Sequence, residues 1–220
     1  MSQQNATAPI VRTHFHLLKV ALFLMTSLTW NTPSLHAVGT NSSYPGILLG
    51  GAFERPPIHR FLEGSRHTIL FPARISENGI YEPLTSESGL NDKYWDNFIR
   101  ESLERASLLL ATLDPLMVRD RAGVIQMAVL SSDNPMVASC ILTHGFLQRF
   151  SAIFGPELLI AIPSRNKIYV FPKLANRIAS AIPTIHDDHL ISPMPVSSEI
   201  FELSAKGLHS VGTLDPDDGR

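Results

Sequence analysis

The densest cluster of chemistry-bearing residues in this 220-residue chain is His186-Asp187-Asp188-His189. Two imidazoles three residues apart fall on one side of a helical turn, and Asp187 or Asp188 would add a carboxylate. Those donor types suit zinc, and a zinc ion with one position left to water generates a nucleophile at neutral pH. This reading assigns His186, Asp187 and His189 as metal ligands of a small metal-assisted hydrolase with zinc as its cofactor. The competing account is a solvated helix end closed by Ser192-Pro193, in which the same residues only meet water.

Two further groupings carry chemistry. Cys140 and His144 are four residues apart, which on one helix would bring a thiol and an imidazole together as a nucleophile and base. Cys140 also sits between Val137 and Ile141 on an apolar face, where a free cysteine packs as a small hydrophobe, and packing is the expectation. Arg165, in the polar turn Ser164-Arg165-Asn166-Lys167, is expected at an exposed hairpin tip. With Arg119 and Arg121 it would present guanidinium groups to an acidic ligand or partner if folding gathered the three. The chain has no GxxxxGK[ST] phosphate loop, GxSxG nucleophile elbow or HExxH helix, so the common NTPase, serine hydrolase and zincin classes lose their sequence support.

Composition narrows the classes further. A formal net charge of −2, with 18 Lys and Arg against 20 Asp and Glu and no basic run, offers no stripe for neutralising phosphates, so a nucleic-acid partner is not expected. The single cysteine excludes an intrachain disulfide,. Arg12 and Lys19 precede an apolar run from Val20 that ends near Leu35-His36-Ala37, the pattern of a signal peptide over residues 1–37, with a disordered segment as the alternative reading. Thr26, Ser27 and Thr29 interrupt the run, so a stable transmembrane anchor is not expected.

The elements that must position these residues follow from spacing. Residues 38–66, broken by Tyr44-Pro45-Gly46, Gly50-Gly51 and Pro56-Pro57, read as a linker. The domain is expected over residues 67–214, with an acidic tail at 215–220. Asn78-Gly79 predicts a hairpin between strands at 68–75 and 80–84. Trp95, Phe98, Ile99, Ser102, Leu103, Ala106, Leu109 and Leu110 predict one face of a helix over about 92–111, capped by Asn91. Val124 to Leu130 reads as a central strand buried on both faces. Asn134-Pro135 then opens a second helix that ends at Gly155. Hairpins are expected at 158–171 and 199–214, and a third helix from about Pro172 toward Leu190, kinked or ended by Pro183. The sum is an α+β domain with a mixed, largely antiparallel sheet, hairpins and about three helices.

Phe98-Ile99-Arg100-Glu101, Val137-Ala138-Ser139-Cys140-Ile141-Leu142, Gly155-Pro156-Glu157-Leu158-Leu159-Ile160-Ala161-Ile162-Pro163, and Phe201-Glu202-Leu203 with Gly207-Leu208 occur in that order. As a set they resemble the carboxy-terminal half of the YtpQ-like family of bacterial proteins, over about residues 67–214. The resemblance implies a fold and a cytoplasmic setting, against the export implied by residues 1–37, and it transfers no catalytic residue. With a full core pattern beside an incomplete catalytic inventory, the expected function is a non-enzymatic module that binds a protein or small ligand. No cofactor is expected under that reading.

Overall fold

The fold begins earlier in the chain than the Gly- and Pro-rich composition predicts. The computed structural model describes residues 42–85, 92–175 and 177–214. The signal-like segment at 1–37, the expected cap Asn91 and the acidic tail at 215–220 lie outside the described residues. Ser43–Gly51 forms β1, antiparallel along its whole length to β3, Thr68–Ser76. Most of the expected linker is therefore domain.

The residues that read as breakers serve this strand pairing. Odd-numbered positions of β1 direct their backbone away from β3, and side chains from elsewhere meet them. Ile47 N–H donates to Ser102 Oγ, Ile47 C=O accepts from Ser139 Oγ, Leu49 C=O accepts from Arg165 Nε, and Gly51 N–H donates to Glu54 Oε1. Pro45, on the same edge, has no N–H to satisfy, which is where a sheet tolerates proline. Gly46 and Gly50 admit neighbours that a Cβ would displace: Met136 Sδ would lie 3.2 Å from one, and Phe71 Cε1 2.9 Å from the other.

On the far side of β3, the short strands β2 (Arg60–Phe61) and β4 (Tyr81–Pro83) share one edge. Pro72 sits in the gap between them, so its missing N–H costs no ladder bond. The expected hairpin at Asn78-Gly79 is present, and Gly79 takes the positive φ of +79° that the turn requires,.

A second antiparallel sheet holds six strands in the order β10-β9-β7-β8-β6-β5. These are β5 (Leu116–Arg119), β6 (Ile125–Ser131), β7 (Leu158–Ser164), β8 (Lys167–Pro172), β9 (Glu199–Ser204) and β10 (Gly207–Thr213). The two carboxy-terminal hairpins occur as expected. β5 was not legible, being only four residues long. Because β5 is the edge strand, β6 next to it is not buried on both faces: Met127 and Val129 remain partly exposed while Ala128 and Leu130 are buried.

The first helix, α1, spans Asp92–Thr112. The expected second helix is divided. Asn134 Oδ1 accepts the Met136 N–H at 2.8 Å, Ala138–Leu142 forms a 3-10 turn, and Thr143 is extended before α2 begins at His144–Phe154. Arg165 C=O takes the Ala138 N–H and Thr143 Oγ donates to Cys140 C=O, so partners outside the helical ladder stabilise the break. α3 spans Ile178–Ile191 and starts later than expected, because Pro172 still belongs to β8 and Lys173–Ala175 forms a 3-10 turn. Pro183 lies within it without ending it. Ala179, whose carbonyl loses its donor, is exposed with Pro183, on the side where water replaces the bond.

The six-stranded sheet carries apolar layers on both faces. Val137, Cys140, Phe146 and Phe150 pack with Leu130, Ile160, Val170 and Phe201, while Ile178, Ala181 and Ile185 of α3 cover Tyr169, Phe171 and Ile200. Each large buried side chain contributes about 1.5–3 kcal/mol of transfer free energy. The described residues thus form an α+β fold of three α-helices and ten strands in two antiparallel sheets. Among them no helix is long and apolar enough to cross a membrane.

Candidate functional site

Arg165 is not at an exposed tip. It is 1% exposed, and the β7–β8 turn drives it into the other sheet. Its guanidinium donates to Leu49 C=O at 2.8 Å, to the Tyr81 hydroxyl and to the Glu54 carboxylate. The rings of Phe71 and Tyr81 lie 5.0 and 4.6 Å from its central carbon, adding cation–π attraction. Every face of the group is occupied, so Arg165 fixes the sheets rather than meeting a partner.

A second charged group joins the same two sheets. Glu199, at the start of β9, is 3% exposed. Its carboxylate accepts from Ser65 Oγ, Arg66 N–H, His67 N–H and Thr68 Oγ, with Ser197 Oγ at 3.4 Å. Burial works against its ionisation and is the largest single influence, but the donors together outweigh it and hold the carboxyl below its ordinary pKa of 4.5,. Among the described residues no Lys, Arg or His ring forms an ion pair with it. Its charge is stabilised by neutral donors alone.

Beside this network is a cleft of about 300 Å3 lined by Ala52, Phe53, His67, His189, Val196, Ser197 and Ser198. That is the lower end of the size range of small-molecule sites, about 300–1,000 Å3. Its walls come from the residues after β1, the β2–β3 connection, the end of α3 and the approach to β9. Phe53 is 63% exposed. His189 Nδ1 lies 3.0 Å from the Pro163 carbonyl. A carbonyl only accepts, so Nδ1 carries the proton and neutral His189 has its free lone pair on Nε2. The Pro163 carbonyl also accepts the Val196 N–H at 3.1 Å, and β7 bulges between Ala161 and Ser164, a place where a strand tolerates proline and re-aims its neighbours.

The remaining sequence expectations separate. Arg119 ends β5 opposite Ile125 and donates to Gly123 C=O at 2.8 Å, and Arg121 is exposed in the following turn. The β7–β8 turn lies at the other end of β6, where Ser131 pairs with Lys167. Six strand steps of about 3.3 Å put roughly 20 Å between them, so the three arginines do not form one site.

His186, Asp187 and His189 do not form a metal centre either. Among the described residues no group of three or more His, Cys, Asp or Glu is placed to hold a metal ion. Asp187 is exposed. Asp188, its neighbour, accepts from Lys167 Nζ at 2.9 Å and from the Tyr169 hydroxyl, tying α3 to β8. Burial first, then the Asp188 hydrogen bond and charge, push the Tyr169 phenol upward so that it stays protonated. His189 was legible as a polar residue at a helix end, but its role was not.

Cys140 is fully buried, and burial pushes its thiol up to about 12. His144 is exposed beyond the break at Thr143, with Nε2 3.0 Å from Gln148 Nε2. They are not a nucleophile and base. Phe53, His67, Ser197 and Ser198 escaped the sequence reading because two lay in or next to the supposed linker and two in a connection with no motif. No family model, no curated protein and no solved structure matches the chain.

Proposed function

We propose that the chain is a binding module that takes a small ligand into the cleft between its two sheets. The observation that carries this reading is the combination of a locked wall with unspent polar groups. Beside the cleft, Glu199 is held by hydrogen bonds from Ser65, His67 and Thr68, and its neighbours His67 and Ser197 line the cleft. At its surface, the His67 ring, His189 Nε2 and the Ser198 hydroxyl have no hydrogen-bond partner among the described residues, next to an exposed Phe53. Preorganised walls with a few convergent polar groups and one aromatic surface favour recognition, because little ordering entropy is lost on binding. A bacterial origin is carried into this proposal from the resemblance of residues 67–214 to the YtpQ-like family.

The test is a fragment titration followed by backbone amide NMR on the full chain. The expected result is saturable shifts at Phe53, His67, Ser197 and Ser198 that disappear in Phe53→Ala and His189→Ala. Hits that cluster elsewhere, with these amides silent throughout, would overturn the proposal.

A further inference from the structure

The cleft has a chemical bias that narrows its ligand. Its lining contains no Lys or Arg. With Nδ1–H committed to Pro163 C=O, the neutral tautomer of His189 has its acceptor at Nε2,. A ring nitrogen of His67 and the Ser198 hydroxyl each offer a further acceptor lone pair. Directly behind Ser197 and the His67 backbone stands the Glu199 carboxylate, buried and without a cation. Its charge is solvated by hydrogen bonds but not neutralised by an ion pair among the described residues, so the field it projects is negative, and burial of the carboxylate itself limits its screening,. Phe53 adds an exposed aromatic ring, which attracts cations through its face, and half-buried Ala52 offers apolar surface.

Resting on the binding role proposed above, we infer that the ligand of this cleft is a small primary alkylammonium. Its three N–H donors match the acceptors of His189, His67 and Ser198, its charge is drawn by Glu199 and by Phe53, and its alkyl chain lies on Ala52 beside the Phe53 ring. A carboxylate or phosphate would meet the His189 acceptor and the like charge of Glu199, and a neutral alcohol would forgo the electrostatic part.

The experiment titrates the full chain, in EDTA to exclude adventitious metal, with n-butylammonium, 1-butanol and butyrate, reading the amides of Phe53, His67, Ser197 and Ser198. n-Butylammonium should saturate with a dissociation constant at least tenfold below the other two. Phe53→Ala should weaken it about twofold to fivefold, the range of an exposed cation–π contact. Glu199→Gln should weaken it further. Should that variant fail to fold, His189→Phe, which keeps an aromatic ring and removes the Nε2 acceptor, should still lower affinity. Equal or tighter binding of 1-butanol or butyrate at the same amides would overturn the inference and leave the binding site standing. Silence of these amides toward every fragment would remove both.

Discussion

The Arg165 guanidinium and the Glu54 carboxylate, 111 residues apart in sequence, form an ion pair that joins the two sheets. The pair sits over Gly50, where an added Cβ would come within 3.0 Å of Arg165 Nη2. Removing one member of such a pair leaves the other charge poorly solvated. Arg165→Ala should cost about 3–5 kcal/mol in urea unfolding. In a double-mutant cycle with Glu54→Ala the two changes should couple by about 0.5–3 kcal/mol. Strict additivity would mean that the two groups act independently.

Gly50→Ala should be destabilising by about 1–3 kcal/mol, because the methyl group must displace Phe71 or the ion pair. Gly145, near the start of α2, is a contrasting site, with only Leu110 Cδ2 at 3.9 Å from an added Cβ. Gly145→Ala should leave stability unchanged or raise it by up to about 1 kcal/mol, through lower unfolded-state entropy. Thermal unfolding of the two variants side by side checks both signs.

Stability should depend on pH through Glu199. Its carboxyl is held below 4.5 in the folded chain, so the unfolded chain binds the proton first as pH falls. The contribution is complete above about 4.5 and is lost progressively as pH drops through the depressed folded-state value. Glu199→Gln should therefore flatten the stability profile in that acidic window. An unchanged slope in the variant would assign the acid sensitivity to other carboxylates.

Cys140 should resist thiol reagents in the native protein. With its thiol raised to about 12 by burial, almost no thiolate is present near neutrality. Labelling by a disulfide reagent should track global unfolding, becoming rapid only in denaturant, and His144→Ala should not alter it. Fast native labelling would contradict the buried placement.

Asp188, rather than His186 or Asp187, should govern the attachment of α3. Asp188→Ala leaves Lys167 and Tyr169 without their acceptor and should cost about 1–3 kcal/mol. Asp187→Ala should be close to neutral, and added zinc should not raise the melting temperature. A zinc-dependent rise abolished by His186→Ala would restore the metal reading.

The sequence by itself determined the elements whose signals are local. Helical spacing from Trp95 to Leu110 located α1, Asn78-Gly79 located a turn because glycine alone takes positive φ without cost, and the paired apolar runs at 158–171 and 199–214 located two hairpins,. It also identified His189 as a polar residue at a helix end and Cys140 as a packing residue. The tertiary structure decided the rest. Whether Pro45, Gly46 and Gly50 interrupt a strand or belong to one depends on what approaches them, and Met136, Phe71 and Arg165 come from distant parts of the chain. Arg165 in a polar turn reads as exposed until Glu54, Leu49 and Tyr81 surround it. The cleft itself exists only because β1, β3, α3 and β9 converge there. Periodicity and turn chemistry are encoded within a few residues, whereas the partner of a buried charge is set by the packing of whole sheets.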